Sequence, residues 1–174
     1  MKIGIFLMEA FIAWFGTTKA KMAKMKAEFI YPKLHDYKAL SEDVNASEFG
    51  RYTLNPWTQM LVHGQHEFLI LEDLSQFNGR PIHEVMKYVM EAYHGKCNIP
   101  GIELWVWLHE NEDKIPDKLK DGNCYHLPGS LLRDSDGHWC VPVLRWADSK
   151  KAISRGANSL TDLWKPGYHA LLVK

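Results

Sequence analysis

The chain has 174 residues, of which 46% are apolar and 24% are charged. This length and composition predict one packed domain and exclude an intrinsically disordered chain. Lys plus Arg and Asp plus Glu both number 21, so the net charge gives no general attraction to nucleic acid or anionic membranes. We therefore expect no nucleic-acid partner.

The N-terminal run 3–15 is strongly apolar, but it is shorter than the roughly 20 residues that span a bilayer. Its large apolar residues recur at helical spacing, and lysines follow up to Lys26. This pattern predicts an amphipathic N-terminal helix or extension over residues 1–28. The helix either packs on the domain or a partner, or makes weak contact with a membrane surface. Alternatively, the natural chain begins near Met22 or Met25.

Residues 29–174 are predicted to form a single α+β domain, a small antiparallel sheet with two adjacent helices. The clearest helix is 80–94, with apolar residues at i, i+3, i+4 and i+7, Pro81 in its first turn and Gly95 after its end. The other predicted elements are a strand at 67–71, a helix at 102–109 and a terminal strand at 168–173.

The stretch 121–147 predicts a hairpin. Its arms are Cys124 to Arg133 and His138 to Trp146, and the Asp-Ser-Asp-Gly sequence between them is typical of a tight turn. Alternate residues of the second arm either form a recognition surface or cover two core faces. The strand register decides between these, because a slip of one residue exchanges the faces.

His and Cys residues of the hairpin form two close pairs, Cys124 with His126 and His138 with Cys140. If the register brings the pairs together, they could hold zinc or form a cysteine hydrolase site. The chain has no C-x-x-C, H-E-x-x-H, G-x-S-x-G or Walker A motif, so we predict no metal and no cofactor. The three cysteines and the absence of a clean secretory signal favour a reducing, cytoplasmic setting, although a Cys124–Cys140 disulfide stays open.

The last two thirds of the chain also contain segments that resemble known proteins. They read EFLILEDLSQFNGR, then IPGIELWVWLHENEDKIPDKLKDG, LPGSLLRDSDGHWCVPVLRW and RGANSLTDLW. This resembles small bacterial and candidate-phylum proteins whose C-terminal segments keep Gly, Arg, Trp and Leu while other positions vary. This distribution of constant and variable positions is similar to that in the variable proteins of diversity-generating retroelements. The segment 147–152 departs from the pattern, since a Gly- and Trp-containing stretch is expected there.

The resemblance implies a C-type-lectin-like fold and a ligand-binding surface on the second hairpin arm and the loop after it. The implied ligand-binding positions, on the solvent face, are His138, Cys140, Val143, Arg145, Ser154, Asn158 and Lys165. Trp139, Trp146 and Leu160 would be scaffold. The leading prediction is a non-catalytic module that binds a protein or a small ligand. The alternative is a small zinc-dependent or cysteine hydrolase that uses Cys124, His126, His138 and Cys140.

Overall fold

A computed structural model describes residues 22–29, 53–54, 64–93 and 95–174. These residues form an eight-stranded sheet and two α-helices, which confirms the α+β class. The helices are α1 (Ile82–Tyr93) and α2 (Ile102–Glu110). The strands are β1 (Met22–Phe29), β2 (Thr53–Leu54), β3 (Gly64–Leu71), β4 (Cys124–His126), β5 (Leu132–Arg133), β6 (Trp139–Ala147), β7 (Ala152–Ser159) and β8 (Tyr168–Val173).

The sheet is mixed and follows the order β1-β3-β8-β4-β6 across most of its width. The pairing of β4 with β8 is parallel, and the other strand pairs of the described residues are antiparallel. Strand β6 has partners on both sides. Strands β4 and β5 lie along one edge of it, and β7 pairs with its whole length along the other.

The two helices lie on opposite sides of the sheet. Alternate residues of β3 enter different core clusters, because successive side chains of a strand point to opposite faces. Leu69 and Leu71 pack in the cluster that contains the buried residues of α1, whereas Phe68 and Ile70 pack in the cluster of α2. Neither helix is long and apolar enough to cross a membrane, within the ranges that the structure describes.

Helix α1 confirms the helix predicted from its spacing, since Ile82, Val85, Met86 and Val89 are its buried residues. Helix α2 confirms the second predicted helix. The N–H group of Ile102, its first residue, is satisfied from outside the helix, because it donates to Ser130 Oγ at 2.9 Å.

The predicted N-terminal helix over residues 1–28 is wrong for its last part. Residues 22–28 lie in β1, which pairs with the full length of β3, and the predicted boundary between 28 and 29 falls inside this strand. Pairing with the apolar strand β3 supplies ladder hydrogen bonds that outweigh a local helical preference. The rest of the prediction, 1–21, lies outside the described residues.

A close crossing of two backbone segments fixes α2 against the loop that follows β4. Gly129 N–H donates to Pro100 O at 2.9 Å. A Cβ atom on Gly129 would overlap the carbonyl oxygen of Ile99, and a Cβ on Gly101 would overlap Ser130 Oγ. Both positions therefore require glycine for space.

We expect Gly129→Ala to lower the free energy of unfolding by about 2 to 3 kcal/mol, or to prevent folding, because the overlapping atoms are backbone atoms that cannot move aside. Urea unfolding measures this. Gly79→Ala is the matched control: Gly79 has φ +78° and no atom within 4 Å of the added Cβ, so only the left-handed backbone penalty of about 1 kcal/mol applies. Equal losses in the two variants would contradict the close crossing.

Candidate functional site

The register of β6 with β7 brings polar residues to one face of the sheet. Arg145 lies opposite Ser154, Val143 opposite Gly156, and Val141 opposite Asn158. Directly opposed residues in an antiparallel pair share a face. Val141 packs in the α1 cluster, so this is the α1 side of the sheet.

Part of this side is open to solvent. Arg145 and Ser154 are exposed, Gly156 and Asn158 are half-buried, and Val143 forms a buried floor. We call these five residues the open face. Strand β4 borders them on the same side, since Cys124 lies opposite Arg145 and His126 opposite Val143.

Four of the seven residues predicted to bind ligand therefore lie together: Val143, Arg145, Ser154 and Asn158. The prediction of a solvent-facing Cys140 is wrong. Cys140 points to the α2 side and is 4% exposed in the core, because it is an odd number of residues from Val143 along β6. Val143 was also expected on the solvent face, but it is only 7% exposed.

The other two predicted residues are exposed but lie away from the strand interior. His138 is in the turn between β5 and β6, where its Nδ1 is 3.4 Å from Asp134 Oδ2. Lys165 opens the turn that leads into β8, and its carbonyl accepts the N–H of Tyr168 at 3.1 Å. Both therefore flank the open face rather than belong to it.

His126 connects three strands beneath the open face. Its ring is fully buried, with Nδ1 3.2 Å from the carbonyl oxygen of His169 in β8 and Nε2 3.1 Å from Asn158 Nδ2 in β7. A carbonyl oxygen can only accept and an amide NH₂ can only donate. The ring is therefore protonated at Nδ1 and accepts at Nε2. Burial lowers the pKa of His126 to about 3, so the ring is neutral at pH 7.

Aromatic rings complete the surroundings of His126. The ring centroid of Trp164 is 4.7 Å from that of His126, and the centroid of Tyr168 is 4.9 Å from it. Trp164 is buried and packs in the cluster that contains the buried residues of α1. Asn158 is therefore held in one orientation by a ring that is itself fixed on both sides.

Gly156 leaves the middle of the open face without a side chain. A Cβ atom added there would meet only Val143 Cγ2, at an ordinary distance of 3.6 Å, and its φ is not in the left-handed region. Neither packing nor backbone conformation requires glycine at this position. Glycine weakens a strand interior and is often found where another molecule approaches the backbone closely.

The Cys and His residues of the hydrolase alternative do not come together. Cys124 lies opposite Arg145, whereas Cys140 lies opposite Leu132. The positions opposite Cys124 and at Cys140 are five residues apart on β6, about 17 Å along a strand. The same separation excludes a Cys124–Cys140 disulfide, and both cysteines are free.

The titration of Cys124 and His126 also opposes cysteine chemistry. Burial raises the pKa of the Cys124 thiol to about 11, against the opposing effect of Arg145, and burial lowers the pKa of His126. A nucleophilic cysteine needs a lowered thiol pKa beside an imidazole that can take its proton. Here both shifts act against a thiolate–imidazolium pair.

The hairpin turn holds three potential ligands close together. Donor atoms of Asp134, Asp136 and His138 lie within 4.8 Å of one another. However, Asp134 Oδ1 accepts the backbone N–H groups of Asp136 and His138, at 3.0 and 2.8 Å. These bonds, the one from His138 first, lower the pKa of Asp134. The cluster is explained as turn structure.

The sequence analysis did not predict three features of this site. They are strand β7, the bare position at Gly156 and the role of His126. The only available signal was the glycine in Arg-Gly-Ala-Asn, and it becomes informative only once 152–159 is known to be a strand.

Comparison of the chain with protein-family models, with curated proteins and with solved structures gives no match. The resemblance to variable proteins therefore stays a prediction, and the function has to be argued from the open face itself.

We expect the free energy of unfolding to fall by about 1 kcal/mol per pH unit on account of His126 as the pH drops from about 6 toward 3. The unfolded chain binds the proton near the ordinary pKa of about 6.5, whereas the folded protein does not bind it until about pH 3. The contribution of neutral His126 to the free energy of unfolding is therefore fully present above about pH 6.5 and is lost as the pH falls toward 3. Urea unfolding at several pH values measures it.

His126→Gln keeps a side-chain acceptor for Asn158 but removes the titration, so its stability should depend less on pH over this range. His83→Gln is the control, because His83 is an exposed residue of α1, so its replacement should leave the acid dependence unchanged. An identical acid dependence in His126→Gln and in the unsubstituted protein would show that His126 is not held neutral.

Proposed function

We propose that the protein is a non-catalytic binding module that takes a protein or small ligand on the open face. The observation that carries this proposal is Gly156, which leaves the strand floor bare and partly exposed without a structural reason. Polar groups flank it, with the exposed Arg145 and Ser154 on one side and the half-buried Asn158 on the other. A flat floor with polar groups at both ends suits close contact by an extended ligand.

The residues around the open face are held in place by packing and hydrogen bonds, which favours binding by a preorganised surface. Val143 lies opposite Gly156 on β6 and is buried, and His126 Nε2 is 3.1 Å from Asn158 Nδ2. Strand β6 is hydrogen-bonded along both edges. A rigid floor lowers the entropy lost on binding, since few groups have to be ordered by the ligand.

We further propose that the fold is C-type-lectin-like and that the open face is the variable surface of such a protein. The order of elements supports this: strand β3, then α1 and α2, then the set of strands that ends in β8. The division of β6 supports it as well, because Leu144 is in the core whereas Arg145 is exposed. Exposed positions can then change without loss of the core. The three free cysteines support a reducing, cytoplasmic setting.

A photo-crosslinking amino acid placed at Ser154 tests the binding proposal in cells that express the protein. We expect a discrete crosslinked adduct, because Ser154 is exposed on the open face. The same amino acid at Lys87, an exposed position on α1, is the control and should give none. Adducts are measured by gel shift and mass spectrometry after irradiation.

Two variants of Gly156 show whether the adduct depends on the bare floor. Gly156→Trp fills the floor and should abolish the adduct, whereas Gly156→Ala adds a single methyl group with no clash and should keep it. Gly156→Ala should also raise the free energy of unfolding by about 0.5 kcal/mol, since alanine loses less backbone entropy. Equal adducts at Ser154 and Lys87, or a destabilised Gly156→Ala, would count against the proposal.

A further inference from the structure

The guanidinium of Arg145 is held by the backbone but is not neutralised. Its Nε–H donates to the carbonyl oxygen of Gly122 at 3.0 Å, and Arg145 is otherwise exposed. Among the described residues it forms no ion pair with an Asp or Glu. Because Nε is occupied, the side-on mode of carboxylate binding is blocked, and the pair of Nη groups is left for an end-on, bidentate contact.

Asp121, which adjoins Gly122 in the chain, accepts from Asn123 and Tyr125, and the ladder partners of Arg145 carry no negative charge. These ladder partners are Cys124 on one side and Ser154 on the other. The Cys124 thiol stays protonated at neutral pH because burial raises its pKa to about 11. Lys150 and Lys151 lie exposed in the turn that joins β6 to β7, against a single acid, Asp148. This end of the sheet therefore attracts an anion.

Asn158 supplies a group of the opposite kind at the other end of the open face. Its Nδ2 is bound to His126 at 3.1 Å, and its carbonyl oxygen Oδ1 has no partner among the described residues. This oxygen can only accept, and a backbone N–H of an extended chain is a suitable donor. Ser154, opposite Arg145, and Asn158 are separated by about 13 Å along β7, the span of roughly four extended residues.

We propose that the open face binds an acidic peptide segment, with a carboxylate on the Arg145 guanidinium and a backbone N–H on Asn158 Oδ1. This inference rests on the proposed binding function and adds the class of ligand. The peptide backbone crosses Gly156, where no side chain obstructs it. The two Nη groups of the one guanidinium match the two oxygens of a carboxylate.

Two fluorescein-labelled pools of amidated hexapeptides test the ligand class. One pool has Glu fixed at a central position, the other has Gln there, and all remaining positions are randomised. By fluorescence polarisation, the Glu pool should bind the full-length protein about tenfold more tightly than the Gln pool, as hydrogen bonds to charged groups require. This preference should weaken with added salt, because Arg145 is exposed.

Arg145→Gln should reduce binding of the Glu pool to the level of the Gln pool. Arg133→Gln is the matched control, because Arg133 is an exposed arginine whose Nε–H also donates to a backbone carbonyl, that of Gly137 at 3.2 Å, but in the hairpin turn region. It should leave binding unchanged. Asn158→Asp replaces the Nδ2 group that donates to His126 with a carboxylate oxygen, which adds a charge and removes the fixed orientation of the side chain, and should weaken binding of both pools.

The outcomes separate the two proposals. If both pools bind equally and Gly156→Trp abolishes both, the carboxylate inference is overturned while the binding face stands. If neither pool binds although the crosslinked adduct at Ser154 forms, the acidic-peptide inference alone is overturned. Displacement of the Glu pool by inorganic phosphate at lower concentration than by N-acetylglutamate amide would also overturn it.

Discussion

The neutral imidazole of His126 is the constraint on which the open face depends. It lies on β4, donates to the backbone of β8 and accepts from Asn158 on β7. A fully buried ring with both nitrogens bonded can stay in place only while it is uncharged, since a proton on Nε2 would remove the acceptor and leave a cation without solvent. Strands β4, β7 and β8 are therefore linked by one side chain whose protonation state is set by burial.

Strand β6 has a core side and an open side. Side chains alternate along the strand, so Leu144 packs against α2 whereas Arg145 reaches solvent on the side of α1. Helix α1 and Trp164 cover that side only in part. The uncovered remainder has a buried floor and exposed polar groups, and it is the surface on which the proposed binding would take place.

Sequence patterns predicted the elements that short-range residue spacing determines. The i, i+3, i+4 periodicity predicted α1, and the apolar runs predicted β3 and β8. The Asp-Ser-Asp-Gly sequence predicted the turn between β5 and β6, but the predicted first arm 124–133 is wrong as a single strand, because only Cys124–His126 and Leu132–Arg133 are extended in the sheet. Strand β7 was missed because its small polar residues have little strand preference and are extended by pairing with β6. Residues 22–28 were assigned to a helix because the local pattern favours a helix, whereas pairing with β3 makes them a strand. Register also comes from tertiary pairing, so Cys140 was predicted on the solvent face although it lies in the core.

The tautomer and charge of His126, measured by long-range proton–nitrogen NMR correlation at pH 7 and at pH 5, test the central claim most directly. The account predicts a neutral ring protonated at Nδ1 at both pH values, because burial lowers the pKa to about 3 and Asn158 donates to Nε2. A ring protonated at Nε2, or an imidazolium at pH 5, would contradict it. Either result would mean that Asn158 is not held by His126 and that the floor of the open face is not fixed as described.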